Sequence, residues 1–242
     1  MNFDRTAAIS GRVARQLFRD RRSLALIIIA PIVVMSLVGF SLLGQEGVLS
    51  RIIPALLGVF VLFFTFLLTG VSFLRERSQG TLERLNNTPV SRADLLVGYL
   101  IGFLLFAMLQ AVVILGYTIL VLPVSYQGDI WQIFVVLILL TVVAVSLGIL
   151  VSTFANNEFQ VVQFIPLVII PQIFLTGIIV PIDSMPWVLE NISAILPLTY
   201  AVEMLVGIML EGSGLLDYTF EMIVLVGFGV IFLILASLTV RS

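Results

Sequence analysis

Residues 52–94 read IIPALLGVFVLFFTFLLTGVSFL, then RERSQG, then TLERLNNTPVSRAD: a long apolar run that stops at a charged, glycine-broken segment. The run 52–74 carries no charge and exceeds the roughly 20 apolar residues that cross a bilayer as a helix. A charge at mid-bilayer would cost about 2.5–3.5 kcal/mol on the insertion scale. Outward from this stretch, comparable windows recur at 24–43, 95–122, 131–154, 161–180 and 220–240, with Glu221 only at the start of the last. The chain is 60% hydrophobic and 11% charged. Soluble domains average about 25% charged residues, so lipid is the main solvent here. The expectation is an all-α integral membrane protein of six transmembrane helices, with one membrane domain accounting for residues 1–242. The first window is too long for a signal peptide and lacks a small-residue cleavage site, so it is read as a retained span.

The residue inventory excludes several chemistries. There is no Cys and no His, which removes the thiolate nucleophile and the commonest general base and metal ligand; no metal site is expected. All 12 basic residues are Arg, so a standard P-loop, which needs a Lys on the phosphates, is ruled out on this chain. The net charge of −2 gives no case for nucleic acid. Arg5, Arg12, Arg15, Arg19, Arg21 and Arg22 precede the first span, Arg75, Arg77, Arg84 and Arg92 follow the second, and Arg241 follows the sixth; only Arg51 falls on the other side. The excess of arginine marks the cytoplasmic face, which puts both termini in the cytoplasm of a cell-membrane protein. The inner loop 155–160 carries no Arg and is the weakest part of this assignment.

Three segments are not simple spans. At the N-terminus Ile9, Val13 and Leu17 recur at i, i+4, i+8 with arginines on the other faces. That pattern predicts an amphipathic helix lying in the inner interface near anionic headgroups; the plain alternative is a leader that only sets orientation. In the inner loop Gly80 breaks the second span, Thr81 can cap a short helix, Pro89 ends it, and Ser91-x-x-Asp94 resembles a capping box opening the third span. The short helix is either a docking element or a solvated loop. On the outer side, 181–218 is too apolar for a loop and too broken for a span. Asp183, Ser184 and Pro186 suggest one helix start. Thr199 suggests a cap for a second helix from Tyr200, which Gly212 and Gly214 end. Helices of about 12 residues reach only about 18 Å, so two short helices should dip into the membrane and return; a hairpin resting on the surface is the alternative.

Polar residues inside the spans are sparse. Thr65, Thr69 and Ser72 follow helical spacing in the second span, Gln110 lies in the third, and Gln163 and Gln172 flank Pro166 and Pro171 in the fifth. They read either as cleft-lining groups or as helix–helix glue and local back-bonding. Gly98-x-x-x-Gly102 permits close helix approach. Glu203 is an acid inside an apolar re-entrant helix, either functional or at the outer water interface.

Two segments together resemble one family. Gly80-Thr81-Leu82-Glu83-Arg84-Leu85 followed by Thr88-Pro89-Val90-Ser91 is similar to the coupling loop of ABC-2 type (type V) exporter permeases. Phe174-Leu175-Thr176-Gly177-Ile178-Ile179-Val180-Pro181, with Met185-Pro186-Trp187 and Leu196-Pro197-Leu198-Thr199-Tyr200-Ala201, resembles that family's run from the fifth span into outer re-entrant helices. The likeness is to small drug- or antibiotic-export permeases and covers nearly the whole chain. It implies a non-catalytic permease subunit that pairs with a second permease copy and sits on two copies of an ATP-binding subunit, which holds ATP and Mg. It implies coupling contacts at Gly80, Thr81, Leu82, Glu83, Arg84 and Leu85. It further implies a cleft walled by the second and fifth spans, with Thr65, Thr69, Ser72, Gln163 and Gln172 as candidates, and an outer gate including Pro181, Pro197, Thr199, Tyr200 and Glu203. An apolar cleft suits drug-like or lipid-like cargo. A glycan-precursor permease and an ATP-independent secondary transporter stand as alternatives, although the latter usually places ionisable groups mid-membrane. An intramembrane enzyme would lack a base.

Overall fold

The structure is a computed structural model that describes residues 3–80, 91–122, 124 and 126–239. Among the described residues it is all-helical, with six helices long and apolar enough to cross a membrane. An amphipathic helix α1 (Phe3–Arg19) breaks at Asp20 into α2 (Arg21–Ser41). Then follow α3 (Glu46–Ser78), α4 (Arg92–Val121), α5 (Ile130–Ser152) and α6 (Glu158–Leu175). Two short helices, α7 (Trp187–Ser193) and α8 (Pro197–Val206), precede the last span, α9 (Thr219–Thr239). The residues expected to form the coupling helix, Thr81, Leu82, Glu83, Arg84 and Leu85, lie outside the described residues.

Local chemistry accounts for most boundaries. The capping box expected at Ser91 is formed: the Asp94 amide donates to Ser91 Oγ (3.1 Å) and the Ser91 amide to Asp94 Oδ2 (3.2 Å). Gly80 ends α3 with φ +68°, a conformation that only glycine adopts without steric cost. The fifth span stops at Leu175 rather than near 180, because Gly177 takes φ +82° and turns the chain. Thr199 is not a cap. Pro197 opens α8 at its first position, where its missing N–H costs nothing, and Thr199 sits inside the first turn.

α3 and α5 form the hub. Of their apolar windows 78% and 67% are buried within the chain, against 22%, 28% and 17% for α2, α6 and α9. The hub closes where glycines face each other. A Cβ on Gly148 of α5 would lie 3.0 Å from the Phe66 carbonyl oxygen and 3.2 Å from the Gly70 amide of α3. The same device seats α1 on α4: a Cβ on Gly98 would lie 2.7 Å from Ile9 Cβ, and one on Gly102 2.7 Å from Val13 Cβ. The amphipathic helix therefore turns its apolar face to protein, and its partner is the glycine pair of the third span.

The two short helices α7 and α8 meet at 84° and differ in fate. α8 is inserted into the core beside α3, α5 and α9, with Leu198, Ala201, Met204 and Leu205 fully buried. It runs into a π-turn at Gly207–Glu211 that Gly212 closes at φ +67°. α7 stays on the surface, with Trp187 75% exposed.

Candidate functional site

α3 is 33 residues long, or about 50 Å, against a hydrocarbon core of about 30 Å. Its last polar turn therefore projects beyond the apolar layer. Successive residues on a helix point about 100° apart, so Arg75, Glu76 and Arg77 leave this root in three directions. Arg75 Nε and Nη2 donate to the two carboxylate oxygens of Glu158 on α6 (2.9 and 3.2 Å). Arg77 donates to the backbone carbonyls of Thr153 (2.9 Å) and Ala155 (2.6 Å) at the end of α5. Glu76, 5% exposed, accepts from Arg12 of α1 (3.0 Å) and from the Tyr99 hydroxyl of α4 (2.8 Å). Arg12 also donates to Tyr99 Oη (2.6 Å), and its guanidinium lies 5.7 Å from the Tyr99 ring centroid. Partial burial opposes the Arg12 charge, but Tyr99 and Glu76 outweigh it and raise its pKa above the ordinary arginine value.

Three consecutive side chains thus tie the turn before Gly80 to α1, α4, α5 and α6. Of these contacts the Glu76 set is the buried one, and moving Arg12 or Tyr99 away would strand its carboxylate; the Arg75–Glu158 pair is exposed and adds little to stability. What the arrangement can do chemically is mechanical: a displacement applied just beyond Ser78 reaches four helices at once. These contacts also account for the loop 155–160, which carries no Arg of its own. Thr153 and Ala155 draw their positive partner from α3, while Asn157 caps α6 by accepting from the Gln160 amide (2.9 Å). Thr153 Oγ1 further donates to Thr239 Oγ1 (3.1 Å). The described N- and C-terminal helices therefore end on the same side of the bundle as the 75–80 root, as an even number of spans requires. Sequence reasoning missed the pairing of Arg12, Glu76 and Tyr99; the only hint was an acid between two arginines at the end of an apolar run.

The expected cleft residues do not share one environment. Thr65 and Thr69 are fully buried and their hydroxyls have no hydrogen-bond partner. Both are enclosed by the chain's own helices in this conformation, so neither lies on an open wall. Gln172 is also buried and acts as a clasp: its Nε2 donates to the Val168 carbonyl (3.0 Å), and its Oε1 accepts from the Leu198 amide (3.3 Å). That amide is one of the orphan donors of the α8 N-terminus. Gln163 is exposed and Ser72 half-buried. Of the outer residues, Pro197 and Thr199 are buried while Pro181 and Glu203 are exposed. Tyr200 donates to the Ala194 carbonyl (2.7 Å), bracing the bend between α7 and α8. Gly80 lies at the root itself. Among the described residues no group of three His, Cys, Asp or Glu is placed to hold a metal ion.

A six-helix apolar bundle with a bent pair of short helices and a polar root at the end of α3 defines a multi-pass membrane protein of the transporter kind. The ABC-2 type transporter profile matches residues 5–210, and the chain belongs to that family. It is 31% identical over 163 residues to a protein named "Probable multidrug ABC transporter permease YbhS" of Escherichia coli K12, covering 67% of this chain and 43% of that protein. It is 24% identical over 164 residues to the similarly named YbhR of the same organism (68% and 45%). It is also 25% identical over 162 residues to "Linearmycin resistance permease protein LnrN" of Bacillus subtilis (66% and 42%). The chain thus spans less than half the length of these relatives.

Proposed function

We propose that this chain is the non-catalytic permease subunit of an ATP-driven exporter. Its inner face would carry both termini, and a separate ATP-binding subunit, in two copies, would dock beneath it. The observation that carries this reading is the polar root of α3. It stands immediately before the 80–85 segment, whose residues resemble a coupling helix, and is bonded to four helices at once. Force delivered to Gly80, Thr81, Leu82, Glu83, Arg84 and Leu85 would reach α1, α4, α5 and α6 through Arg75, Glu76 and Arg77. ATP and its Mg belong to the partner subunit, since a chain without Lys does not fit a P-loop. Pairing with a second permease copy fits the lipid-facing α2, α6 and α9, which bury little of their surface within one chain. The central cleft would then form between copies, where the exposed Gln163 and half-buried Ser72 remain candidates for its wall. The α7–α8 pair would serve as its outer gate. Relatives named for multidrug transport and linearmycin resistance support an amphipathic drug-like or lipid-like cargo.

The test reverses the charge of Glu83 (Glu83→Arg) and follows ATP-dependent cargo movement in proteoliposomes containing the ATP-binding subunit. Loss of coupling with an assembled complex is expected. Unchanged transport, or transport by the purified chain without any ATPase, would overturn the reading.

A further inference from the structure

α1 presents three faces, each about a third of a turn from the next. Ile9, Val13 and Leu17 are buried against the bundle. Phe3, Ala7 and Phe18, spaced i, i+4, i+15, are exposed. Arg12, Arg15 and Arg19, at i, i+3, i+7, line with Gln16 an open concavity of about 440 Å³ in which no acid takes part. Arg12 is committed to Glu76 and Tyr99, so the other two arginines carry the charge of this face. Arg15 spends only Nε, on the Gly11 carbonyl (3.0 Å), which leaves both Nη groups. Arg19 is exposed and has no acid partner among the described residues. Asp20, next in sequence, lines a different cavity beside Arg75. The height of α1 follows from its contacts. Arg12 reaches Glu76, and Asp20, eight residues or about 12 Å further on, shares a lining with Arg75. Both ends of this stretch meet one turn of α3, so α1 crosses α3 at the level of the polar root and does not climb toward the membrane centre.

We infer that Arg15 and Arg19 bind the phosphate of an anionic phospholipid from the leaflet on the root side, with an acyl chain of that lipid against Phe18. The face that the sequence assigned to lipid, Ile9, Val13 and Leu17, is spent on protein, and the two remaining faces are one cationic and one apolar. Paired guanidinium groups match phosphate oxygens, and a basic face beside an aromatic one is the chemistry of the bilayer interface. An acidic protein segment or a free phosphate ion would satisfy the arginines but leave the adjoining Phe18 in water; a lipid satisfies both faces. The bound headgroup stands within two turns of Arg12, the guanidinium that holds Glu76, so the charge of the leaflet bears on the root.

The test needs neither ATP nor an ATPase, so its outcome is separate from that of the exporter reading. The purified full chain in a non-ionic detergent is titrated with phosphatidylglycerol and, separately, with phosphatidylcholine of the same acyl chains, and native mass spectrometry counts bound molecules. One saturable equivalent of phosphatidylglycerol is expected, bound in preference to phosphatidylcholine and retained against excess inorganic phosphate. Arg15→Gln combined with Arg19→Gln should weaken phosphatidylglycerol about thirtyfold, each arginine contributing roughly fivefold at an anionic headgroup, and bring it level with phosphatidylcholine. Arg19→Gln alone should cost about fivefold. Arg21→Gln removes an exposed arginine two residues further on that does not line the concavity and should cost nothing. Phe18→Ser should weaken both lipids. Arg15, Arg19 and Arg21 are exposed, so these variants should melt with the parent and the comparison does not depend on folding. Equal losses in Arg19→Gln and Arg21→Gln would reduce the site to diffuse charge, and displacement by inorganic phosphate would give it to a soluble anion. Undiminished phosphatidylglycerol binding in the double variant would leave the arginine face to an acidic protein surface. Each of these results, or equal binding of the two lipids by the parent, overturns the inference.

Discussion

Adding side chains to the groove of α4 should release α1 from the bundle while leaving the six spans assembled. In Gly98→Ala the new Cβ would start 2.7 Å from Ile9 Cβ and 3.2 Å from the Thr6 carbonyl oxygen. Carbon atoms rest at about 3.5–4.0 Å, so α1 must retreat by about 1 Å. Arg12 now bonds Tyr99 at 2.6 Å and Glu76 at 3.0 Å; a retreat of that size takes them to about 3.6 and 4.0 Å, outside hydrogen-bond range. Overpacking costs about 1–3 kcal/mol. Bonds to charged groups are each worth about 1.5–3 kcal/mol, the lower end applying because the Arg12 side chain is 35% exposed. Nothing apolar opposes the departure, since Ile9, Val13 and Leu17 find equal shelter in lipid. Gly98→Leu combined with Gly102→Leu should therefore detach the helix. The chain has no native Cys, so nitroxides on Ala8→Cys and Phe154→Cys, both exposed positions, report the α1–α5 separation by pulsed electron resonance. The parent should give one narrow distance, and the double-leucine variant a longer, broader one. An unchanged distribution would refute the reasoning.

Glu76→Gln and Arg12→Gln should each lower the thermal unfolding midpoint in detergent, and the double variant should fall short of the sum by about 1 kcal/mol or more, as for any coupled pair. Gly148→Val should abolish monodisperse expression in fluorescence-detected size exclusion, because the space is held by the backbone of Phe66 and Gly70; Gly227→Val, with nothing within 4 Å, should behave as the parent. Gln172→Leu leaves the buried Leu198 amide without its acceptor, a loss of about 1–3 kcal/mol, and should hasten protease cleavage around residues 181–197 without disturbing the spans.

The parts legible in the sequence are those governed by local rules. Six apolar windows, the amphipathic repeat of Ile9, Val13 and Leu17, the Ser91–Asp94 box and the helix-ending Gly80 each depend on hydropathy or on bonds within a few residues. The coupling-loop resemblance rests on a short contiguous motif for the same reason. Thr65, Thr69 and Gln172 were harder to place. In water, apolarity separates inside from outside, but a lipid-solvated helix is apolar on every face, and its composition does not tell the bundle from the bilayer. For Thr65, Thr69 and Gln172 the sequence therefore left cleft wall and helix–helix contact both open; in the structure the two threonines face the hub and Gln172 clasps α8.

What the sequence alone determined is membrane residence, the number of spans and the chemistry this chain lacks, because those follow from transfer free energies and residue types. Only the tertiary structure decided that α3 and α5 form the hub, that α1 lies in the Gly98–Gly102 groove, and that Arg75, Glu76 and Arg77 reach four helices. Neighbours about 100° apart on a helix can meet any of several partners. Which ones they meet depends on how close two backbones come, and here glycines on facing helices set that distance.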